Sequence, residues 1–215
     1  MGRLLTKELR LALHPTAPIF LLLSSMLMIP NYPYLIVFFY TGLAVFFTCL
    51  TGRENHDVDF SVLLPVAKRD VVNARVLLVV LLEMAQWLLA IPFMILRQRL
   101  IPAPNAVGMD ANTALLGFAL IQMGLLNVLF FGTYYRDVRK VGLAFVKSSA
   151  AMFVLICALE TLTHIVPFFR DVLDTPDPTH LSVKLLVVLA GAAIYALTTC
   201  LTMKRARKDF ERQDL

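Results

Sequence analysis

Six polar side chains interrupt otherwise apolar stretches, and such groups have few uses in hydrocarbon. Glu83 and Gln86 lie one helical turn apart. Glu160 and His164 stand at i, i+4 with Thr161 and Thr163 beside them, and Gln122 and Asn127 interrupt another run. A charged group at the bilayer centre costs about 2.5–3.5 kcal/mol on insertion scales, so these residues face a protein interior or a watery cavity. Glu83 suits a cavity wall or a contact to a cationic substrate; it equally suits a protonated carboxyl bonded to a neighbouring helix. Glu160 and His164 suit a gate or a proton-sensitive latch, or a local pair at one membrane face. Gln122 and Asn127 suit helix–helix hydrogen bonds. Glu83, Gln86, Glu160 and His164 are therefore the candidates for lining or gating a polar path.

Enzymatic motifs are missing. There is no GxSxG elbow, no HExxH and no paired-cysteine metal site, so neither a catalytic residue nor a metal ligand is assigned. No GxxxxGK[ST] loop occurs, and none of the nine glycines precedes a lysine, so the chain cannot cradle nucleotide phosphates in that way. Cys49, Cys157 and Cys200 all lie in or at the ends of apolar runs and read as packing residues. The four histidines are scattered and form no ligand cluster.

The elements that must position these groups are membrane spans. Of 215 residues 59% are hydrophobic and only 16% are charged, against about a quarter charged in soluble domains. The net charge of +5 forms no continuous basic stripe, so nucleic acid is not a partner. Leu11–Gly52 carries no charge over 42 residues, room for two spans of about 20 residues, and Pro30-Asn31-Tyr32-Pro33 marks the turn between them. Spans are expected near Pro15–Ile29, Tyr34–Leu50, Val76–Leu96, Thr113–Tyr135, Ser148–Phe169 and Leu185–Met203. Gly117, Gly124 and Gly191 are small positions that allow close helix approach.

Ahead of the first span, Arg3, Lys7, Arg10 and His14 share a helical face opposite Leu4, Leu5, Leu11 and Ala12. Residues 1–14 are thus expected to form an amphipathic interfacial helix with its basic face toward anionic headgroups. A signal peptide competes, but no small-residue cleavage site follows and further spans do. Segment 165–184 is expected to re-enter the outer interface or form short helices. The tail 204–215 is expected to anchor on anionic lipid through Lys204, Arg205, Arg207 and Lys208. Lys and Arg divide sixteen to four between alternate connectors. That bias predicts an all-α membrane protein, one six-span domain over 1–215, with both termini in the cytoplasm of a multi-pass cell-membrane protein.

The chain is organised around Arg53–Arg75, RENHDVDFSVLLPVAKRDVVNAR, the longest internal charged segment. It carries Glu54, Asp57, Asp59 and Asp70 against Arg53, Lys68, Arg69 and Arg75, with Phe60, Val62, Leu63 and Leu64 between. Pro65 is expected to open a helix that runs through Arg75 into the next span. Such a segment is either a solvated connector or a docking element.

This pattern, an acid after the second span and then LLPVAKRDVVNAR leading into the third, resembles the permease subunits of bacterial ABC-2 type exporters. The resemblance extends over nearly the whole chain in span number and order, and its specific part is this loop. It implies an interfacial "elbow" at residues 1–14 and a coupling loop at 53–75 that docks a separate P-loop ATPase. Glu54, Asp57, Asp59 and Phe60 would then contact the ATPase, with Arg69 and Arg75 orienting the loop. It also implies a second permease copy, identical or paralogous. ATP and magnesium would be bound by the partner, with no cofactor on this chain. Small relatives of this kind export amphipathic peptides such as phenol-soluble modulins and lantibiotics, so an amphipathic or hydrophobic cargo, a peptide among them, is expected. Two other classes stand beside this reading: the substrate-capturing membrane component of an ATP-driven vitamin uptake system, and a membrane-embedded enzyme.

Overall fold

Apolar length dictates the architecture. The computed structural model describes residues 2–213, and every regular element among them is helical. Met1 of segment 1–14 and residues 214–215 of the tail lie outside the described residues. Among the described residues five helices are long and apolar enough to cross a membrane: α3 (Leu35–Glu54), α5 (Lys68–Leu100), α6 (Thr113–Tyr134), α7 (Val141–Ile165) and α8 (Leu181–Glu211).

The sixth expected span is the exception. Helix α1 (Gly2–Lys7) runs into a π-helical turn, Glu8–Ala12. The chain then bends by 87° into α2 (Ala17–Leu22), which continues as a 3₁₀ segment, Leu23–Met28. Twelve residues would reach about 18 Å as α-helix; drawing the second half into 3₁₀ stretches this to about 21 Å, still short of a bilayer core of about 30 Å.

The π turn also corrects the expected amphipathic face. It breaks the i, i+4 register after Lys7, so Glu8 and Ala12 turn inward and Leu11 outward at 75% exposure. Lys7 likewise points into the protein instead of toward headgroups. Pro65 does not open a helix either. A short helix, α4 (Asp57–Leu63), ends before it, the chain runs extended, and α5 begins at Lys68. From there α5 does continue unbroken into the membrane, with Pro92 inside it.

Helix α6 is the most buried span, surrounded by α3, α5, α7 and α8. Its closest partner is α8, because glycines face each other: a Cβ on Gly117 would stand 2.7 Å from the Val187 carbonyl oxygen, and one on Gly191 would strike the Gly117 backbone. Helices α7 and α8 turn broad apolar faces outward, with Phe153, Val154, Leu186 and Leu189 more than half exposed. Cys157 and Cys200 lie on those faces, whereas Cys49 is buried.

The lower end of α8 packs onto the bundle, while Lys204, Arg205 and Lys208 of the expected lipid anchor stay exposed. Phe210 and Ala206 are fully buried, and Phe210 meets Tyr135 edge-on at 5.5 Å. Helices α5 and α8 are tied at three depths: Arg207 donates to Asn73, Tyr195 donates to Glu83, and Gln98 donates to Asp177, which Lys184 holds.

Candidate functional site

Four charged residues from three chain segments form a closed cluster under α4. Arg75, near the start of α5, donates from Nε to Glu8 and from Nη2 to Asp57, and all three side chains are at most 14% exposed. Lys7 bridges the same two acids and donates to Ser61 Oγ at 2.7 Å. Two cations and two anions cancel. That balance matters, since an unpaired buried charge is far costlier than a satisfied pair. Gly52, at the end of α3, leaves room for the guanidinium, since a Cβ there would lie 3.3 Å from Nη1. The Glu8–Ala12 turn, α3, α4 and α5 thus converge on one arginine, whose planar fork supplies separate donors to each acid.

The cluster fixes which face α4 presents. Val58 and Ser61 point inward, whereas Asp59 is exposed, Phe60 is 57% exposed and Leu63 is 84% exposed. His56 enters the helix in the left-handed region at φ 51° and contacts Asp59 through Nδ1 at 2.9 Å. Asp57 and Asp59 sit in the first turn, where the helix dipole favours acids. Cavities flank α4 on both sides. One of about 240 Å³ lies against Arg53, His56 and Arg139, and one of about 180 Å³ lies against Leu11, Asn55 and Phe60.

The expected docking residues therefore separate. Glu54, Asp59, Phe60 and Arg69 are at the surface. Asp57 and Arg75 are inside, committed to each other, so neither is a free surface contact. Glu8 and Lys7 were not anticipated as site residues. The available signal was that Glu8 is the sole acid in the first 53 residues.

The intramembrane candidates are structural ties in this conformation. Glu83 has no exposed surface and accepts from Tyr195 Oη at 2.6 Å and Asn127 Nδ2 at 2.9 Å, joining α5, α6 and α8. Asn127 also donates to Thr199. Gln86 donates to Ser24 in the 3₁₀ segment at 2.9 Å, which draws α2 to α5. Gln122 donates to the Leu35 carbonyl.

At the opposite end from α4, Glu160 and His164 grip the connector between α5 and α6. Glu160 accepts from the Met109 N–H at 2.7 Å, and His164 Nε2 lies 3.2 Å from the Val107 carbonyl. Gly108 sits between, where a Cβ would collide with the Glu160 carboxylate. Asp174 accepts from the Asp110 N–H at 2.6 Å. Burial, with Asp110 and Glu160 adding repulsion against that hydrogen bond, raises its carboxyl to about 7. Burial pushes Asp177 up too, but bonds from Lys184 and Thr113 outweigh it and hold the group below the ordinary value. The connector before α8 contains a short π-helical turn, Phe169–Leu173, whose Leu173 is buried. Among the described residues no three His, Cys, Asp or Glu side chains group as metal ligands.

A family model described as ABC-2 family transporter protein matches residues 3–205. No curated protein and no solved structure matches the chain.

Proposed function

The chain belongs to the ABC-2 transporter family and is a multi-pass membrane protein, and from this we propose that it is the permease of an ATP-driven exporter whose coupling element is α4. The family makes it a membrane component working with a partner ATPase and not a catalyst itself. ATP and its magnesium bind on that partner. One observation carries the coupling assignment. A seven-residue helix exposes Phe60 and Leu63 while its inner face is pinned by the Lys7–Glu8–Asp57–Arg75 cluster. An apolar tip on a rigid base is what a groove in another protein can push.

The ATPase contacts are Glu54, Asp59, Phe60 and Leu63, with Arg69 beside them and Arg75 acting from within. Both termini face the cytoplasm, as the lysine and arginine distribution supports. A second permease copy, identical or paralogous, meets this one through the exposed apolar faces of the spans, and the cargo is amphipathic or hydrophobic, an amphipathic peptide in the first instance. Closure of the ATPase dimer shifts the permease only insofar as the partner binds the two states differently. Glu83, Gln86, Glu160 and His164 then act as ties whose release accompanies opening.

The test is co-purification in detergent with the P-loop ATPase expressed from a neighbouring gene. Wild type captures it stoichiometrically and supports ATP hydrolysis; Glu54→Ala with Phe60→Ala loses both while unfolding at the same temperature. Failure of wild type to hold a P-loop ATPase removes the reading.

A further inference from the structure

Two opposite charges line one cavity at the end of the bundle away from α4, without touching. Arg97, at the end of α5, is only 4% exposed, yet its partners are neutral: Nε donates to Tyr34 Oη at 2.9 Å and Nη2 to the Ala103 carbonyl at 3.0 Å. Asp110 accepts the Asn105 N–H. Among the described residues neither Arg97 nor Asp110 forms an ion pair. Both border a cavity of about 130 Å³ together with Gln98, Asn112 and Asp177.

The other polar walls are already committed. Asp177 is taken by Lys184, Thr113 and Gln98. Asn112 donates to the Leu173 and Thr175 carbonyls and accepts the Leu115 N–H. The charges that remain without a counter-ion are the Arg97 guanidinium and the Asp110 carboxylate, both bordering the same space. A buried charge is normally paired or neutralised, so Arg97 lacks a counter-ion, and the half-buried Asp110 carries the opposite charge across the same space. We propose that the cavity binds a small zwitterion, its phosphate or carboxylate on Arg97 and its ammonium on Asp110.

Size and charge narrow the ligand. The volume matches roughly four waters at about 30 Å³ each, enough for an ethanolamine phosphate group and well below the 300 Å³ or more of pockets for drug-sized ligands. A lone anion would leave Asp110 unanswered, with Asp174 and Asp177 close by, and a lone cation would leave Arg97 unanswered. Burial raises the Asp110 carboxyl, against the Asn105 bond and the Arg97 and Lys184 charges; a bound ammonium opposes that rise. The same chemistry is offered by an aminophospholipid head group and by a free zwitterion. The assignment does not depend on ATPase docking.

The test uses the full-length chain, delipidated in detergent, with O-phosphoethanolamine as soluble probe and phosphatidylethanolamine, phosphatidylcholine or phosphatidylglycerol in mixed micelles. The zwitterion raises the unfolding temperature by several degrees at saturation, as any ligand selective for the folded state does. Its apparent affinity falls at least tenfold in Asp110→Asn, which keeps the acceptor for Asn105, and in Arg97→Gln. A response to phosphatidylethanolamine alone identifies a lipid head group, and a response to O-phosphoethanolamine as well identifies a site open to free zwitterions. No response to either, equal responses in Asp110→Asn, or a stronger response to phosphatidylglycerol overturns the proposal and leaves a water-bridged charge pair.

Discussion

Arg75 and Glu8, 67 positions apart, meet as a guanidinium and a carboxylate that are both almost wholly withdrawn from solvent. The contact closes the elbow onto α5, and Asp57 brings α4 to the same arginine. Removing one member strands the rest. Arg75→Ala should destabilise the protein by about 3–5 kcal/mol, and Arg75→Lys should recover little because an ammonium lacks the planar guanidinium's separate Nε and Nη2 donors, which hold Glu8 and Asp57 at the same time. Unfolding in detergent reads this directly, and a loss below about 1 kcal/mol would show that the cluster is solvated.

The exposed face of α4 should behave oppositely. Phe60→Ala and Leu63→Ala should leave stability within about 0.5 kcal/mol, as surface substitutions do, while weakening ATPase capture. Asp57→Asn should lower stability first. If all three substitutions act alike, α4 does not divide into an inner and an outer face.

Helix packing supplies a third prediction. Gly191→Val should cost about 1–3 kcal/mol, since its side chain must displace the Gly117 backbone. Gly132→Ala meets nothing within 4 Å and should be neutral or stabilising by up to about 1 kcal/mol on helix propensity. Thermal midpoints of the two variants decide it.

The connector held by Asp174 should loosen as pH rises. Its folded value of about 7 lies above the unfolded value near 3.9, so between them the folded state keeps a proton that the unfolded state has lost, and stability falls with increasing pH. Asp177 is shifted downward, so its contribution is lost only at more acidic pH, as the group protonates. Hydrogen exchange of the Asp110 amide, corrected for intrinsic rates, should show protection falling from pH 5 to pH 7.5. Asp174→Asn should flatten that profile; an unchanged slope would assign the effect to another group.

Phe210→Ala should cost about 3–5 kcal/mol, since the ring is fully buried against Tyr135. A tail that merely rested on lipid would lose almost nothing. The unfolding midpoint distinguishes the two.

The spans were readable because a bilayer demands apolar length, and α3, α5, α6, α7 and α8 all stand where apolar runs predicted them. Gly117 and Gly191 were readable for a similar reason, smallness at a place where size matters. The Arg75 cluster was not. Its members come from three segments with no fixed spacing, and only packing brings Glu8 to Asp57. The π turn at Glu8–Ala12 was equally invisible, and it turns Glu8 and Ala12 inward. Pro65 misled because proline suits both a helix start and the extended link that follows α4.

The three ties between α5 and α8 give the pair a mechanical character. From Asn73 to Gln98, α5 spans about 38 Å, so a tilt of about 5° imposed beside α4 displaces the far end by roughly 3 Å. Pro92 is the weak point of that lever, because it withdraws a backbone hydrogen bond between the Glu83 and Gln98 ties. Helix α8, continuous and free of proline from Leu181 to Glu211, splints it. While the Gln98–Asp177–Lys184 tie holds, a push applied beside α4 arrives at the opposite face as rotation; once it parts, the same push is absorbed as bending at Pro92, and the far end stays where it was.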